Sequence, residues 1–456
     1  MRIVIVGNGK VGSTLAEQLS NEDHDVIVID KNQQTIDNLV NTLDVMGVCG
    51  NGASYQVLLE AEVQKADLLI ACTSQDEINL LCCLVGRKLG ARHTIARVRN
   101  PEYSDQLVFM RDELGLSFSI NPERAAAAEL YKLLKFPSAL KIETFSNKRA
   151  EIAEIRLKEC SALDNVYLRD LHKTFKGKAL ICAVQRGSQV TIPGGNFMLR
   201  AGDKISVIAA ANDMLDFFAS LGNLLPEARD VLLIGGGRIS FYLARMLLEN
   251  GARVKIIDID PQKCAELSRQ LPRAMVICGD GTDQELLAEE GLDTMDAVVA
   301  LTGLDEENII LALYAQSRTD AKVITKINRP TLAAIAESTG LGSIISPRVL
   351  TANIIIRYVR AMQNSMGSNI ETLHRLVGGR VEALEFRVSE NFPQLDTPLM
   401  ELKLRPDLLI ACISRDGRTI IPGGRDCISV GDRVIVVTTN ERLDDLSEIL
   451  QKGYAL

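Results

Sequence analysis

The sequence predicts an α/β protein with two Rossmann-like, doubly wound parallel sheets, each followed by a small α+β domain. Three observations support this prediction. The chain repeats itself at a nearly constant offset, short aliphatic runs alternate with helical patterns in the first part of each repeat, and strand-like runs dominate the second part. Alternating strands and helices are typical of a parallel sheet covered by helices on both faces.

The composition agrees with a folded chain of two to four domains, at roughly 100–200 residues per domain. Of the 456 residues, 46% are hydrophobic and 24% are charged, and aromatic residues make up only 4%, so aliphatic side chains must form the cores. The first residues enter a strand pattern at once, and no apolar run is long enough to span a bilayer. We therefore expect a cytoplasmic protein without a signal peptide.

Charge and cysteine usage exclude several classes of function. The formal net charge is −8, which disfavours nucleic-acid binding because that requires a basic surface. Ten cysteines are present without a CxxC pair, and several lie in apolar runs. We expect buried, reduced thiols. The histidines are isolated and the cysteines scattered, so we predict no metal site.

The repeat is visible at many separated landmarks. The motif GNGKVG at residues 7–12 returns as GGGRIS at residues 235–240, and Asp30 returns as Asp258, both at an offset of 228. The motif GNGA at residues 50–53 returns as GDGT at an offset of 229, and IPGG at residues 192–195 returns at residues 421–424. The chain therefore consists of two copies of one unit.

In the first part of each copy, short aliphatic runs predict buried parallel strands. In the first copy we predict helices over 10–19 and 77–89, with strands over 3–6, 25–29, 47–49, 68–72, 93–98 and 118–120. The second copy repeats this order from Val231 to about Pro347.

In the second part of each copy, strand-like runs are separated by glycine-containing turns. We predict strands over 153–157, 180–185 and 204–209, with counterparts over 383–388, 408–414 and 433–438. Helical patterns over 123–134 and 348–362 follow prolines and connect the two parts. The predicted domains are 1–122 and 229–347 for the Rossmann-like parts, and 137–221 and 369–453 for the small α+β parts.

The glycine motif of the first copy lies between a strand and a helix, as dinucleotide binding requires. Gly7 permits the tight turn, Gly9 lets the backbone approach a pyrophosphate, and Gly12 allows close packing of helix and strand. Asp30 ends the second strand, where its carboxylate can accept hydrogen bonds from ribose hydroxyls and would repel a 2′-phosphate. NAD(H) or ATP/ADP is therefore favoured over NADP.

The second copy keeps this pattern with one change, since Ser240 replaces the third glycine. Asp258 keeps the ribose acceptor. Residues at other strand ends complete both pockets, because ligands of open α/β sheets bind at the carboxyl edge. These residues are Thr73, Ser74 and Thr302 after the fourth strands, Asn51 and Asp280 after the third, and Arg97 and Lys326 after the fifth.

Together these motifs resemble the RCK family, the regulators of K⁺ conductance. The first copy carries GNGKVG, Asp30, GNGAS, ACTSQDEIN and ARVRNPEY, followed by a small domain with IPGG and AGD, and the order then repeats. The resemblance covers essentially the whole chain. Its specific part is the duplication together with the small IPGG-bearing domains.

The resemblance implies properties that spacing does not provide. RCK proteins of this doubled form are cytoplasmic rings, here a homotetramer, peripheral on the inner face of the cell membrane beneath a potassium-translocating subunit of the Trk type. They bind NAD(H) and ATP or ADP in the large domains, and nucleotide exchange reshapes the ring and gates the pore. The resemblance thus implies a regulatory subunit that is not an enzyme.

Carried over position by position, the resemblance implies nucleotide contacts in both copies. The first set is Gly7, Asn8, Gly9, Lys10, Val11, Asp30, Thr73, Ser74 and Arg97. The second set is Gly235, Gly236, Gly237, Arg238, Ile239, Asp258, Asp280, Thr302 and Lys326. Asn51 departs from the acidic residue often found there in the family.

Two other functions are open to a Rossmann-like chain. An NAD-dependent oxidoreductase needs an acid or base near the nicotinamide, commonly His or Lys, but no histidine recurs at the repeat offset. A DNA-binding redox regulator needs a basic helix-turn-helix module, and the acidic balance and full-length duplication leave no room for one. We therefore predict no catalytic residues.

Overall fold

The computed structural model alternates two parallel with two antiparallel sheets along the chain, which confirms the fold class. The structure describes residues 1–145, 149–159, 161–175, 177–221, 227–364, 370–439, 443 and 445–451. Within these ranges, every helix is too short or too polar to span a bilayer.

The first parallel sheet contains the strands β1 Arg2–Val6, β2 Asp25–Asp30, β3 Met46–Cys49, β4 Leu68–Ala71, β5 His93–Arg97 and β6 Phe118–Ile120. The helices are α1 Lys10–Asn21, α2 Gln33–Thr42, α3 Tyr55–Glu60, α4 Asp76–Leu89, α5 Pro101–Met110 and α6 Pro122–Lys135. The strand order is β3-β2-β1-β4-β5-β6, so the order reverses between β1 and β4. Ligands of doubly wound sheets bind at such a reversal, outside the carboxyl ends of the strands.

Apolar patterning explains these elements. Ile3, Val4 and Ile5 in β1 are fully buried, because helices cover both faces of the sheet. Along α1, the buried residues Val11, Leu15 and Leu19 recur every four positions and form one apolar face.

The first small sheet contains β7 Lys141–Phe145, β8 Ala150–Arg156, β9 Ala179–Arg186, β10 Gln189–Thr191 and β11 Lys204–Ala210. Two helices accompany it, α7 Leu171–Thr174 and α8 Ala211–Ser220. The strands are antiparallel in the order β10-β9-β11-β8-β7. Gly187 adopts a positive φ of 57° in the tight turn between β9 and β10.

The second parallel sheet contains β12 Asp230–Ile234, β13 Arg253–Asp258, β14 Met275–Cys278, β15 Ala297–Ala300, β16 Lys322–Lys326 and β17 Ser343–Ile345. Its helices are α9 Arg238–Glu249, α10 Pro261–Gln270, α11 Gln284–Glu289, α12 Asp305–Arg318, α13 Pro330–Ser338 and α14 Pro347–Asn364. The order β14-β13-β12-β15-β16-β17 reproduces that of the first sheet.

The second small sheet contains β18 Ile370–Leu376, β19 Val381–Arg387, β20 Leu408–Arg415, β21 Arg418–Ile420 and β22 Arg433–Thr438. Its antiparallel order is β18-β19-β22-β20-β21. The helices predicted over 123–134 and 348–362 are confirmed as α6 and α14, each with proline as its first residue.

The chain packs into two compact units that each combine corresponding parts of both copies. The first unit comprises Met1–Tyr131 and Arg229–Ile356, and therefore holds both parallel sheets. The second unit comprises Lys132–Ala228 and Arg357–Leu456, with both small sheets. We propose 1–122, 137–221, 229–347 and 369–453 as the domains within these units. The limits 369 and 453 lie outside the described residues.

In the first unit, polar contacts join the two copies. The Asn121 side-chain amide donates a hydrogen bond to the Tyr242 hydroxyl at 2.9 Å. The Arg348 guanidinium donates to the Thr14 hydroxyl. Because each bond pairs the start of a connecting helix with the helix after a glycine motif, the two copies contact each other through equivalent surfaces.

In the second unit, the two small sheets share one hydrophobic core. Phe145, Ile152 and Ile208 from the first sheet pack with Val381 and Ile435 from the second. A buried carboxylate bridges the same contact: Glu154 is 2% exposed and accepts from the Val377 amide at 2.8 Å. The Lys204 ammonium lies 3.2 Å from the other Glu154 oxygen.

Replacing Glu154 by alanine removes the acceptor of a buried N–H group and leaves Lys204 without this partner. A buried donor without an acceptor costs about 1–3 kcal/mol. We expect scanning calorimetry to show that Glu154→Ala lowers the melting temperature of the second unit by several degrees. The exposed Glu159→Ala is the matched control, and equal melting of both variants would contradict this role.

Candidate functional site

The glycine motif of the first copy forms a tight turn at the carboxyl end of β1. Gly7 has a φ of +98°, and a Cβ there would lie 2.9 Å from the Thr73 backbone. A Cβ on Gly12 would collide with the Gly7 carbonyl oxygen. These two glycines are therefore required by the backbone itself.

Gly9 differs, because a Cβ at this position would meet no atom within 4 Å. It is the N-cap residue of α1, and no side chain caps this helix. The first N–H groups of α1 are therefore left without a capping side chain at the positive end of the helix dipole. Such a helix start is suited to bind phosphate.

Asp30 fixes the conformation of this turn. One carboxylate oxygen accepts from the Asn8 amide at 2.7 Å, and the other accepts from the Asn32 amide at 2.9 Å. Each oxygen retains a lone pair for a further donor. The side-chain oxygen of Asn8 is buried without a hydrogen-bond partner.

The second copy reproduces the turn with a different third residue. Gly235 has a φ of +103°, and a Cβ on Gly237 would again meet no atom within 4 Å. The Asp258 carboxylate accepts from the Gly236 amide at 2.7 Å and from the Asp260 amide at 2.9 Å. Ser240 is fully buried, and its hydroxyl donates to the Gly235 carbonyl. The serine therefore satisfies the turn carbonyl.

A buried asparagine holds the fourth and fifth strand ends together in each copy. The Asn79 side-chain oxygen accepts from the Thr73 amide at 2.8 Å, and its amide donates to the Arg97 carbonyl at 2.9 Å. Asn308 makes the same two bonds, to Thr302 and Lys326, at 2.8 and 3.0 Å.

A buried aspartate supports the next loop. Asp76 accepts from the backbone amides of Arg99 and Asn100, both at 2.8 Å. Asp305 accepts in the same way from Asn328 and Arg329, at 3.0 and 2.9 Å. The sequence pattern alone indicates no role for these two aspartates or for Asn79 and Asn308, although each pair is related by the repeat offset.

The basic residues that end the fifth strands cover the fourth strand ends. The Arg97 guanidinium donates to the Thr73 carbonyl, while its Nε atom is buried without a partner. Lys326 donates to the corresponding carbonyl of Thr302. Burial lowers the pKa of Arg97, and the neighbouring Arg99 lowers it further.

Charged residues of one copy lie within electrostatic reach of the other. Burial lowers the pKa of Lys326, and Lys10 from the first glycine turn lowers it further, against the opposing effect of Asp305. Burial raises the pKa of Glu123 at the start of α6, against the effects of several arginines including Arg238 from the second glycine turn. Lys10 and Arg238, one at each glycine turn, therefore lie close enough to the other copy to influence its charged groups.

Three further predicted residues lie in the loops that follow the third and fourth strands. The Asn51 side chain accepts from the Ala53 amide at 3.3 Å, and both residues lie in the loop after β3. The corresponding Asp280 accepts from the Thr282 amide at 2.9 Å, and these bonds to Thr282 lower the pKa of Asp280. Ser74 contributes its carbonyl, which accepts from Arg99.

Two Rossmann-like sheets with glycine turns alternate with two small antiparallel sheets, so the chain is a tandem duplication of a two-domain unit. The TrkA-N domain model matches residues 3–122 and 231–347, and the TrkA-C domain model matches residues 152–222 and 383–451. The chain belongs to the TrkA family.

Two relatives agree with this assignment over their full length, and a solved structure shares the fold. A Trk system potassium uptake protein TrkA homolog from Archaeoglobus fulgidus is 33% identical over 451 residues, which cover 99% of this chain and 100% of the relative. The Trk system potassium uptake protein TrkA of Vibrio alginolyticus is 29% identical over 456 residues, with 99% of each chain covered. The structure of the GsuK channel bound to NAD is similar in fold, with a TM-score of 0.63 and 19% identity over 96% of this chain and 77% of that one.

An alanine is expected to lower the stability of the protein at Gly12 but not at Gly9. Gly12→Ala forces a Cβ against the Gly7 carbonyl, and overpacking of this kind costs about 1–3 kcal/mol. Gly9→Ala places its Cβ in open space and serves as the matched control. We expect calorimetry to show a lower melting temperature of the first unit for Gly12→Ala only. Equal melting temperatures of the two variants would contradict the close approach of Gly12 to the Gly7 carbonyl oxygen.

Proposed function

We propose that the chain is a non-enzymatic regulatory subunit, in which adenine nucleotides bind both glycine turns and control a potassium-translocating membrane partner of the Trk type. The observation that carries this proposal is the proximity of Lys10 to Lys326. The positive charge of Lys10, in the first glycine turn, contributes to lowering the pKa of Lys326 at a strand end of the other copy. Phosphate bound near either residue therefore changes the interaction between the copies.

The residues present fit an adenine nucleotide. Gly9 and Gly237 leave open space for a pyrophosphate beside uncapped helix starts, and Asn8 and Arg97 offer buried polar atoms without partners. The residues proposed to hold the nucleotide at the first site are Gly7, Asn8, Gly9, Lys10, Val11, Asp30, Thr73, Ser74 and Arg97. At the second site they are Gly235, Gly236, Gly237, Arg238, Ile239, Asp258, Asp280, Thr302 and Lys326.

The carboxylates of Asp30 and Asp258 determine which nucleotides are accepted. Each has lone pairs left for ribose hydroxyls after bonding two backbone amides. A negative charge at this position disfavours a 2′-phosphate. We therefore propose NAD(H), ATP and ADP as the ligands. A bound nucleotide supplies only phosphate charge and adenosine contacts, and no redox step is assigned to it.

Control of the partner follows from thermodynamic linkage. A nucleotide shifts the equilibrium between two conformations of the protein only by the difference in its affinity for these conformations. A tenfold difference supplies about 1.4 kcal/mol per site, and the effect grows with the number of sites. Nucleotides with different phosphate charge interact differently with Lys10 and Lys326, and this difference is the proposed signal.

We propose that the chain assembles into a homotetrameric ring, peripheral on the cytoplasmic face of the membrane. The relatives named as Trk system potassium uptake proteins support a membrane potassium partner. The fold likeness to the GsuK channel supports an RCK-type assembly.

The histidine positions do not supply the imidazole that an oxidoreductase commonly uses, and the lysine at the end of β16, Lys326, is hydrogen-bonded to the Thr302 carbonyl. His24 and His93 lie at or before the amino ends of β2 and β5, on the edge opposite the glycine turns. His172 and His374 lie in the second unit. An acid or base near the nicotinamide would instead be needed at the carboxyl edge of a parallel sheet.

The charge of Lys326 provides a direct test of the linkage. Removing one positive charge near the phosphates is expected to weaken ATP more than ADP, because ATP carries the additional charge. We expect Lys326→Gln to reduce the preference for ATP over ADP by about fivefold, roughly 1 kcal/mol, in calorimetric titrations. Lys88→Gln, an exposed residue near the end of α4, is the matched control. An unchanged ratio of affinities would contradict the proposed signal.

Reconstitution tests the function itself. We expect rubidium uptake into vesicles that contain a Trk-type membrane subunit and this protein to differ several-fold between ATP and ADP. Gly9→Ala combined with Gly237→Ala should abolish the difference, because each Cβ fills the proposed phosphate space. Gly194→Ala, whose Cβ also meets no atom, is the control in a small-domain turn. Equal uptake with every nucleotide would refute the function.

A further inference from the structure

Two cysteines lie together beside the second glycine turn. The prediction that the cysteines are buried is wrong for Cys49 and Cys278, which are exposed at the ends of β3 and β14. Cys264, on α10, is 7% exposed. Its sulfur lies 3.8 Å from the carbonyl oxygen of Ile277, the residue before Cys278.

The surroundings fix this pair next to Asp258. The Cys264 sulfur lies 3.3 Å from the Asp258 carbonyl oxygen and 3.8 Å from that of Ile277. Asp258 is the register partner of Cys278 in the sheet. The two thiols and the proposed ribose acceptor therefore lie at the carboxyl ends of the same two strands.

The first copy has only half of this arrangement. Cys49 occupies the position of Cys278, but Ile36 occupies the position of Cys264 at the repeat offset. Ile36 is 4% exposed, and the Cys49 thiol donates only to the Lys31 carbonyl at 3.6 Å. Cys49 is thus a matched exposed thiol that has an isoleucine where Cys278 has a second cysteine nearby.

We propose that Cys264 and Cys278 form a reversible disulfide when the protein meets a low-molecular-weight disulfide such as oxidised glutathione. The exposed Cys278 receives the oxidant, and the buried Cys264 resolves the adduct. This redox site regulates the second nucleotide site and, in that respect, rests on the proposed function.

The exchange balances in two steps. The Cys278 thiolate attacks one sulfur of the small disulfide, whose S–S bond breaks as a mixed disulfide forms, and the first small thiolate leaves. The Cys264 thiolate then attacks the Cys278 sulfur and releases the second small thiolate. The two protein thiols lose two electrons, the small disulfide gains them, and the two protons end on the released thiols.

The second step is expected to be slow near neutral pH. Burial and, after it, the neighbouring Cys278 together raise the pKa of Cys264 to about 11. Only the thiolate attacks, so the rate of resolution should rise about tenfold per pH unit while the pH remains below this pKa.

Oxidation would act on the nucleotide site through Asp258. In the dithiol form, the Cys264 S–H group donates to the Asp258 carbonyl. A disulfide has no S–H donor and requires the two sulfurs to approach about 2.05 Å. The disulfide therefore links α10 covalently to the end of β14. It also removes the hydrogen bond from Cys264 to the carbonyl of Asp258, the residue that supports the second glycine turn. Nucleotide binding and oxidation must then influence each other reciprocally.

Peptide mass mapping tests the redox site on the full chain. After incubation with oxidised glutathione, we expect wild-type protein to yield a Cys264–Cys278 disulfide that reduced glutathione reverses. Cys264→Ser should retain a glutathione adduct on Cys278, as Cys49 should in every variant. Two results for the wild-type protein would overturn the proposal. In the first, Cys278 keeps its glutathione adduct as Cys49 does; in the second, the thiols of Cys264 and Cys278 both stay free.

Titration with ADP tests the coupling separately, in the Gly9→Ala background that isolates the second site. We expect the disulfide form to bind ADP about fivefold or more weakly than the dithiol form. Cys278→Ser, which lacks the thiol that receives the oxidant, should be insensitive to oxidation. Equal binding by both forms overturns the regulation. Absence of binding by the reduced protein refutes the proposed function at this site, while the mass mapping still decides on the disulfide.

Discussion

The hydrogen bonds from the glycine-turn amides to the carboxylates of Asp30 and Asp258 are the constraint on which both sites depend. Each carboxylate ends the second strand of its sheet and bonds the turn that follows the first strand. The bond connects two neighbouring strand ends and directs the start of the next helix toward open space. The same oxygens keep lone pairs for a ligand. One interaction therefore shapes the turn and defines the chemistry of the proposed ligand.

Duplication adds a property that a single Rossmann-like domain lacks. Both parallel sheets belong to one compact unit, and the Asn121–Tyr242 and Arg348–Thr14 contacts join them. A charge at one turn is consequently felt in the other copy. The copies are also unequal, because the second has a serine as its third turn residue and has Cys264 where the first has Ile36. The two sites are therefore equivalent in architecture and different in chemistry.

The fold could be predicted from the sequence because the sequence patterns that indicate it are local or repeated. Glycine spacing, aliphatic runs and a constant offset predicted both sheets and the connecting helices α6 and α14. The hydrogen-bond partners of the side chains could not be predicted from the sequence, because they depend on how the strands and the two copies pack. Asn79 and Asp76 recur at the repeat offset, but their bonds to Thr73 and to the loop after β5 appear only in three dimensions.

Contacts between copies were the least predictable feature. Nothing in the sequence near Lys10 indicates that Lys326 is close to it, since the two lysines lie more than half the chain apart. The neighbouring thiols of Cys264 and Cys278 likewise result from a helix packing against the end of a strand. Both features depend on tertiary structure, whereas the glycine turns depend on backbone conformation, which leaves a direct sequence signal.

The central claim is that nucleotides of different phosphate charge stabilise different shapes of one assembly. Small-angle X-ray scattering from the full-length protein, saturated in turn with ATP, ADP and NADH, tests it most directly. The account predicts that the scattering profile with ATP differs from the profile with ADP. Profiles that superimpose on one another and on that of the nucleotide-free protein would contradict it.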